Sequence, residues 1–408
     1  MKRVLVVVPN LPYPLVSGGH LRDWQILNLL ARAGIRPTLL WFGAGEGGGL
    51  RGDDPVSALC AEVIHGGARV ERPDAGWGAA ARRKLGYVAG RGPGHPFAYQ
   101  YDAMAAGEVI TDTARRLGAD TVVLRGFWCR HAAALRATGA RVVANYPDAS
   151  VRLAREMVRS VRNPLRKLGP VCNLVGVRRH ERRHLGACDE VWVPTPDEQA
   201  EVAAFGAHPR VLSMPNLLDV RAHPNLAGAP GADDTLLLVA NFDYAPNHNA
   251  ARVLLERLLP AIRRRRPAAR LLLVGRGLDP RLMALAQRIP GVEAPGFVAD
   301  LEVWYRRAGV VLLPVREGAG MLFKTIEALA YGKAILGVPE AFRGLAVAAP
   351  APVVVASSWA RLAAEAANLM GDTEARRRLG ARARRFAETH LSWETGMRCL
   401  ERSLLLAG

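Results

Sequence analysis

Lys324 and Glu327 stand three residues apart behind a glycine-bearing segment, a spacing that lets both flank a ligand held at a helix start. Residues 310–314 form an apolar run that reads as a buried strand, and Arg316-Glu317-Gly318-Ala319-Gly320 reads as a loop. Residues 321–331 show helical spacing, with Leu322, Ile326 and Leu329 on one side and Gly332 where a helix would stop. Strand, glycine loop and helix together present free backbone N–H groups and the positive end of a helix dipole, an arrangement suited to phosphate. On this reading Lys324 lies one turn and Glu327 two turns into the helix, and both flank a ligand held at its start, where Met321 opens the helix. Any doubly wound domain carries such units, so the alternative is an ordinary packing unit with a Lys/Glu pair on its helix.

Further polar residues fall where other apolar runs end. Gly18 and Gly19 follow the first run, and paired glycines let the backbone approach a ligand closely, with Arg22 one helical turn on to reach an anion. A tight strand-to-helix turn is the plainer account of the two glycines. Asp148 follows the run at 141–144, and a hydroxyl contact or a helix N-cap suits it equally. Asn241, Arg276 and Phe297 close the runs at 235–240, 269–274 and near 292.

The elements that must position these residues alternate. Strand patterns at 4–8, 36–42, 121–124, 141–144 and 190–193 interleave with helical periodicity at 21–33 and 106–117. A stretch rich in Pro, Gly and Ala at 222–234 follows. The pattern then restarts, with strands at 235–240, 269–274, 310–314 and 334–336 and helices at 249–264 and 280–288. Such alternation predicts α/β architecture: two doubly wound Rossmann-like domains of parallel strands facing a central cleft. The expected boundaries are 1–221, a linker at 222–234, 235–390, and a helix at 391–408 returning to the first domain. Ligands of these sheets bind outside the carboxyl ends of the strands, where the candidate residues lie.

Composition narrows the possibilities. Of 408 residues half are hydrophobic, enough for two cores. No run of 18 apolar residues appears, so a membrane-spanning helix is not expected. The first nine residues have a charged start and an apolar centre like a signal peptide, but Pro9, Asn10 and Pro12 cut that centre short. Five scattered cysteines, Cys60, Cys129, Cys172, Cys188 and Cys399, point to reduced residues and a cytoplasmic location. The net charge of +18 favours anionic partners, although part of it reflects arginine usage. No nucleic-acid module is recognisable, so nucleic acid is not an expected partner. Neither an Asp-x-Asp motif nor a zinc-type cluster appears, and no metal is expected.

The order of these features resembles the family 4 (group 1) glycosyltransferases of the GT-B fold along almost the whole chain. The opening from Pro9 to Arg22, Pro215-Asn216-Leu217-Leu218-Asp219 before the linker, the Gly296-Phe297-Val298 turn and Glu327-Ala-Leu-Ala-Tyr-Gly332 are each similar to family segments. The resemblance implies an acceptor-side first domain and a second domain that binds a nucleotide-sugar donor. Glu327 then holds the ribose and Lys324 the diphosphate. Gly18, Gly19, Arg22, Asn241, Arg276, Phe297, Glu317, Gly318, Gly320 and Met321 border the donor. Asp148 stands where many relatives carry a histidine near the reaction centre, and with Lys324 it is the catalytic candidate. Three departures stand out. Leu217 replaces a glycine. Arg276, Arg316 and Lys324 are the substitutes for an absent Arg/Lys pair. Eight residues before Glu327 lies Ala319 rather than a carboxylate, so Glu317 serves only if its loop doubles back.

The implied activity is transfer of a sugar from a nucleotide-diphosphate sugar to a hydroxyl acceptor, with retention, with no metal and no cofactor beyond the co-substrate, in glycan or glycoconjugate biosynthesis. A nucleotide-sugar epimerase of the same architecture and a non-catalytic basic protein binding membrane or nucleic acid are the alternatives. A dinucleotide oxidoreductase ranks lower, since the first strand leads to no G-x-G-x-x-G. Arg152, Arg155, Arg159, Arg162 and Arg166 recur at helical spacing beside an apolar stripe between residues 151 and 168, with Pro164 a kink or an end. That pattern suits a helix lying on an anionic membrane, and with it a lipid-linked acceptor on the cytoplasmic face, or else an ordinary solvated arginine face.

Overall fold

Runs of Val and Leu buried along their full length make the strands, as a parallel sheet covered on both faces requires. In the computed structural model the described residues are 2–15, 17–43, 54–67, 106–146, 150–161, 163–204, 210–229, 233–317, 320–345, 350–403 and 405–406. The chain divides into two compact units, one of Met1–Pro215 with Gly396–Gly408, the other of Asn216–Thr395.

The first unit holds seven strands: β1 (Val4–Val8), β2 (Thr38–Trp41), β3 (Glu62–His65), β4 (Thr121–Arg125), β5 (Arg141–Asn145), β6 (Glu190–Val193) and β7 (Val211–Ser213). Their order is β3-β2-β1-β4-β5-β6-β7, and every pair is parallel. Trp128 and Trp192 are the largest side chains fully buried in this unit. The end of the chain is tied here: the Ser403 hydroxyl donates to the Glu190 carboxylate of β6, and Lys2 Nζ donates to Leu405 O at 3.0 Å.

The second unit holds β8 (Thr235–Val239), β9 (Arg270–Val274), β10 (Val292–Gly296), β11 (Val310–Leu313), β12 (Ala334–Gly337) and β13 (Val354–Val355). Their order is β10-β9-β8-β11-β12-β13, again all parallel. The strand order therefore reverses between β8 and β11, as it does between β1 and β4 in the first unit.

Three expectations need correction. The stretch at 222–234 is not a free connection. Leu226 N donates to Tyr331 O at 2.9 Å, Arg384 donates to His223 O at 2.7 Å, and Asp234 pairs with Arg266 at 2.7 Å, all inside the second unit. Lack of periodicity marks irregular backbone, not lack of contacts. The helix expected at 249–264 begins at Ala245, because Pro246 fits a first helical turn, and it passes through a π-helical turn, Leu254–Leu258. The basic stretch at 151–168 is two helices, Ser150–Ser160 and Pro164–His184. A proline lacks the N–H that a continuing helix would need and instead opens the second one.

Candidate active site

Where the strand order reverses, the loops after the two central strands turn away from each other and leave a crevice at the sheet's carboxyl edge. In the second unit that crevice lies between the ends of β8 and β11, and two short helices begin there. After β8 comes Ala245–Val253; after β11 comes Phe323–Ala330. Lys324 Nζ donates to the side-chain oxygen of Asn247, and Asn247 Nδ2 donates to Asn241 O at 2.7 Å. Asn249 Nδ2 donates to Glu317 Oε2 at 3.0 Å, which draws that carboxylate onto the helix after β8.

The approach to the Phe323–Ala330 helix is built for close contact. Gly320 has φ +73°, a left-handed conformation that other residues adopt only with strain. Met321 is buried, and its carbonyl accepts from Asn216 Nδ2 at 2.8 Å. Among the described residues no side chain caps the helix at Leu322. The first N–H groups of a helix have no intrahelical acceptor. Lys324 is thus the second residue of the helix and Glu327 the fifth, each two residues nearer the start than periodicity predicts, because Met321 and Leu322 stay non-helical.

Burial tunes both side chains. Loss of solvent pushes the Lys324 ammonium down to about 7. The same effect pushes the Glu327 carboxyl up to about 7, outweighing the Tyr305 hydroxyl that donates to Glu327 Oε2 at 2.9 Å. Tyr305 in turn stacks on Tyr331 with ring centroids 4.3 Å apart. The pair combines a cation and helix N–H groups, fit for a diphosphate, with a fixed carboxylate that accepts from paired hydroxyls.

The remaining donor candidates differ in setting. Gly275 and Gly277, at φ +136° and +83°, pack under the end of β8, where a Cβ would come within 1.8 Å of Ala240 O and 2.3 Å of Asp243 Oδ1. Arg276 between them faces Asp243 at 3.6 Å and remains half-exposed. Phe297 is 63% exposed beyond β10. Arg316 lies over the Trp359 ring at 4.0 Å and donates to Ser357 O at 3.0 Å, which occupies its guanidinium away from Lys324. Asp148 and Gly318 lie outside the described residues.

The first unit closes its own crevice. Gly18 and Gly19 are the opening turn of the Gly18–Arg32 helix rather than a loop before it, capped by Ser17 Oγ, which accepts from His20 N at 3.3 Å. Arg125 at the end of β4 donates to Gly19 O and Asp23 Oδ2, both at 2.8 Å, and this ion pair is almost fully buried. Arg22 is fully buried and donates to Asn145 Oδ1 at 3.1 Å, Met214 O at 2.7 Å and Pro215 O at 3.2 Å, so its guanidinium braces carbonyls of this unit.

Asn247 and Asp243, in the strand-end segment that the resemblance sets beside the donor, and Tyr305 contact candidate residues without having been candidates themselves. Asn247 was recoverable as the residue after a first-turn proline at a strand end; Tyr305 carried no signal. Among the described residues no cluster of His, Cys, Asp or Glu could hold a metal ion, and no helix is long and apolar enough to cross a membrane.

Residues 233–372 match the family model described as "Glycosyl transferases group 1". A comparison with curated proteins finds no match. Among solved structures, the chain resembles sucrose-phosphate synthase from Thermosynechococcus elongatus, at 18% identity and TM-score 0.71 with all of both chains covered. It resembles Anabaena HepE, solved in complex with UDP and glucose, at 13% identity and TM-score 0.66 with 99% of both chains covered. TarM aligns at 8% identity and TM-score 0.69, covering 100% of this chain and 99% of that one. At such identities these likenesses establish the fold.

Proposed function

We propose that this chain, whose residues 233–372 match the group 1 glycosyltransferase model, is a glycosyltransferase that moves a sugar from a nucleoside-diphosphate sugar to a hydroxyl acceptor through the site around Lys324 and Glu327. The observation that carries the reading is the meeting of Lys324 with Asn247 at the strand-order reversal, inside the stretch matched by the family model. The HepE structure in complex with UDP-glucose supports a nucleotide sugar as the donor class.

In the reaction the bond between the anomeric carbon and the diphosphate oxygen breaks, and the electron pair leaves with the diphosphate. The acceptor hydroxyl oxygen forms the new bond to the same carbon, and its proton passes to the departing diphosphate oxygen. Negative charge grows on the leaving diphosphate, and Lys324 with the start of the Phe323–Ala330 helix offsets it, lowering the barrier. Glu327 accepts from the ribose hydroxyls and fixes the donor's orientation. Retention at the anomeric carbon and independence of metal are parts of the proposal that follow from the resemblance.

The acceptor we propose is a glycan or lipid-linked glycan at the cytoplasmic membrane face. Leu168 is 70% exposed on the Pro164–His184 helix, and Val171 on that helix and Met157 on the preceding one are also exposed. An apolar edge on a basic surface suits anionic lipid. The charge stripe is weaker than the sequence suggests, because Arg152 and Arg155 share Glu201 at 3.2 and 3.0 Å.

Incubation with nucleotide sugars alone, followed by chromatography of the products, tests the activity. A transferase leaves the donor's sugar unchanged and releases nucleoside diphosphate faster when acceptor glycans are added. Conversion of the nucleotide sugar without acceptor into an epimeric sugar would favour the epimerase instead.

A further inference from the structure

At the opposite, amino edge of the second sheet lies a cavity of about 270 Å³ lined by Lys333 and Ala334 at the start of β12, Gly309 before β11, and Asp233, Thr373, Arg376 and Arg377. We propose that this cavity binds a small multivalent oxyanion of the phosphate class, with Lys333 as its principal cation.

Lys333 is only 5% exposed, yet its ammonium meets no hydrogen-bond acceptor among the described residues. Lys333 is itself one of the residues that line the cavity. A buried ammonium without a partner is costly, and an oxyanion would remove that cost. Arg376 is fixed by Leu369 O and Met370 O at 2.6 Å, by Thr373 Oγ1 at 2.8 Å and by Asp233, whose carboxylate offsets its charge and leaves Lys333 as the buried cation of the wall. Arg377, also in the lining, pairs with Glu374 at 2.9 Å and is 59% exposed. Burial, with Arg376 and Arg306 nearby, brings the Lys333 ammonium down to about 8, which shows how little in the unit now offsets its charge. The eighteen-residue helix Thr373–His390 begins in the cavity wall and adds the positive end of its dipole. The volume falls below the roughly 300–1,000 Å³ of drug-sized pockets, which suits a small anion and not a nucleotide. The cavity also stands apart from the donor residues: Lys333 follows the carboxyl end of the helix whose amino end carries Lys324.

Calorimetric titration with sodium phosphate, against sodium chloride at matched ionic strength, tests the site in the full chain. Wild type should bind phosphate saturably, more tightly at pH 7 than at pH 9, and sulfate should compete. Lys333→Gln should weaken binding at least about tenfold, the worth of one charge-assisted contact. The exposed Arg377→Gln should weaken it several-fold with an unchanged melting transition, which covers the case of a misfolded Lys333 variant. Absence of saturable binding to wild type overturns the proposal. So does phosphate binding that survives both substitutions, or that is abolished by Lys324→Ala instead.

Discussion

Lys324 donates a hydrogen bond to the side-chain oxygen of Asn247, and this contact joins the first turns of the two helices that follow β8 and β11. Asn247 is itself held by Asn241 O at 2.7 Å, so the lysine is aimed by the end of β8 before any ligand arrives. Preorganised charge of this kind stabilises a leaving group without reorganisation during the reaction.

Replacing Lys324 with alanine should weaken binding of a nucleoside diphosphate by about 1.5–3 kcal/mol, the range for a hydrogen bond to a charged group. Burial places its titration near 7, so a growing fraction is neutral as the pH rises above that value. Diphosphate affinity of the wild type should therefore fall between pH 7 and 9. Lys324→Arg, charged throughout, should flatten the dependence; titration calorimetry across that range checks both.

Glu327 gives a test of stability with a definite sign. Its carboxyl titrates near 7 in the folded chain against 4.5 ordinarily, so the folded state binds more protons between these values and loses stability as the pH rises through them. Glu327→Gln removes the charge. Relative to wild type it should gain stability progressively from about pH 4.5 to about 7 and hold that gain above. Denaturant unfolding at pH 5 and pH 8 measures the difference. The same variant should also lose preference for a ribonucleoside over a 2′-deoxyribonucleoside diphosphate.

Arg22 should matter to folding rather than to the donor. Substitution by leucine leaves Met214 O and Asn145 Oδ1 without the donor they now share, while Pro215 O keeps Gln25 Nε2 at 2.8 Å. Each unsatisfied buried group costs about 1–3 kcal/mol, so the melting temperature should drop sharply. Nucleoside-diphosphate affinity of the folded fraction should remain at the wild-type value.

Membrane contact is tested by co-sedimentation with vesicles. Binding should appear with anionic lipid, fade with added salt, and drop when Leu168→Asp and Lys167→Gln are combined. Equal pelleting with neutral and anionic vesicles, or none with either, would leave the Pro164–His184 helix an ordinary surface.

Much of this was legible in the chain itself. Val4–Val8 and Val310–Leu313 are apolar runs too short for helices and bounded by turn residues, and the glycine after Tyr331 ends its helix with φ +67° as periodicity required. Lys324 and Glu327 were found because their local spacing reflects one helix. Their partners were not: Asn247 and Tyr305 lie 77 and 22 residues away, and side-chain contacts over such separations leave no periodic trace. The bracing role of Arg22 was illegible for the same reason, since the carbonyls it meets arrive from Met214 and Pro215, more than 190 residues later.

Donor binding at the Phe323–Ala330 helix is tested most directly by titrating a panel of nucleoside diphosphates into wild type and into the Lys324→Ala, Glu327→Ala double variant. At least one should bind wild type saturably and raise its melting temperature by mass action. The double variant, with its unliganded melting transition preserved, should show neither effect. Failure of every nucleoside diphosphate to bind wild type, or undiminished binding to the folded double variant, would contradict the assignment.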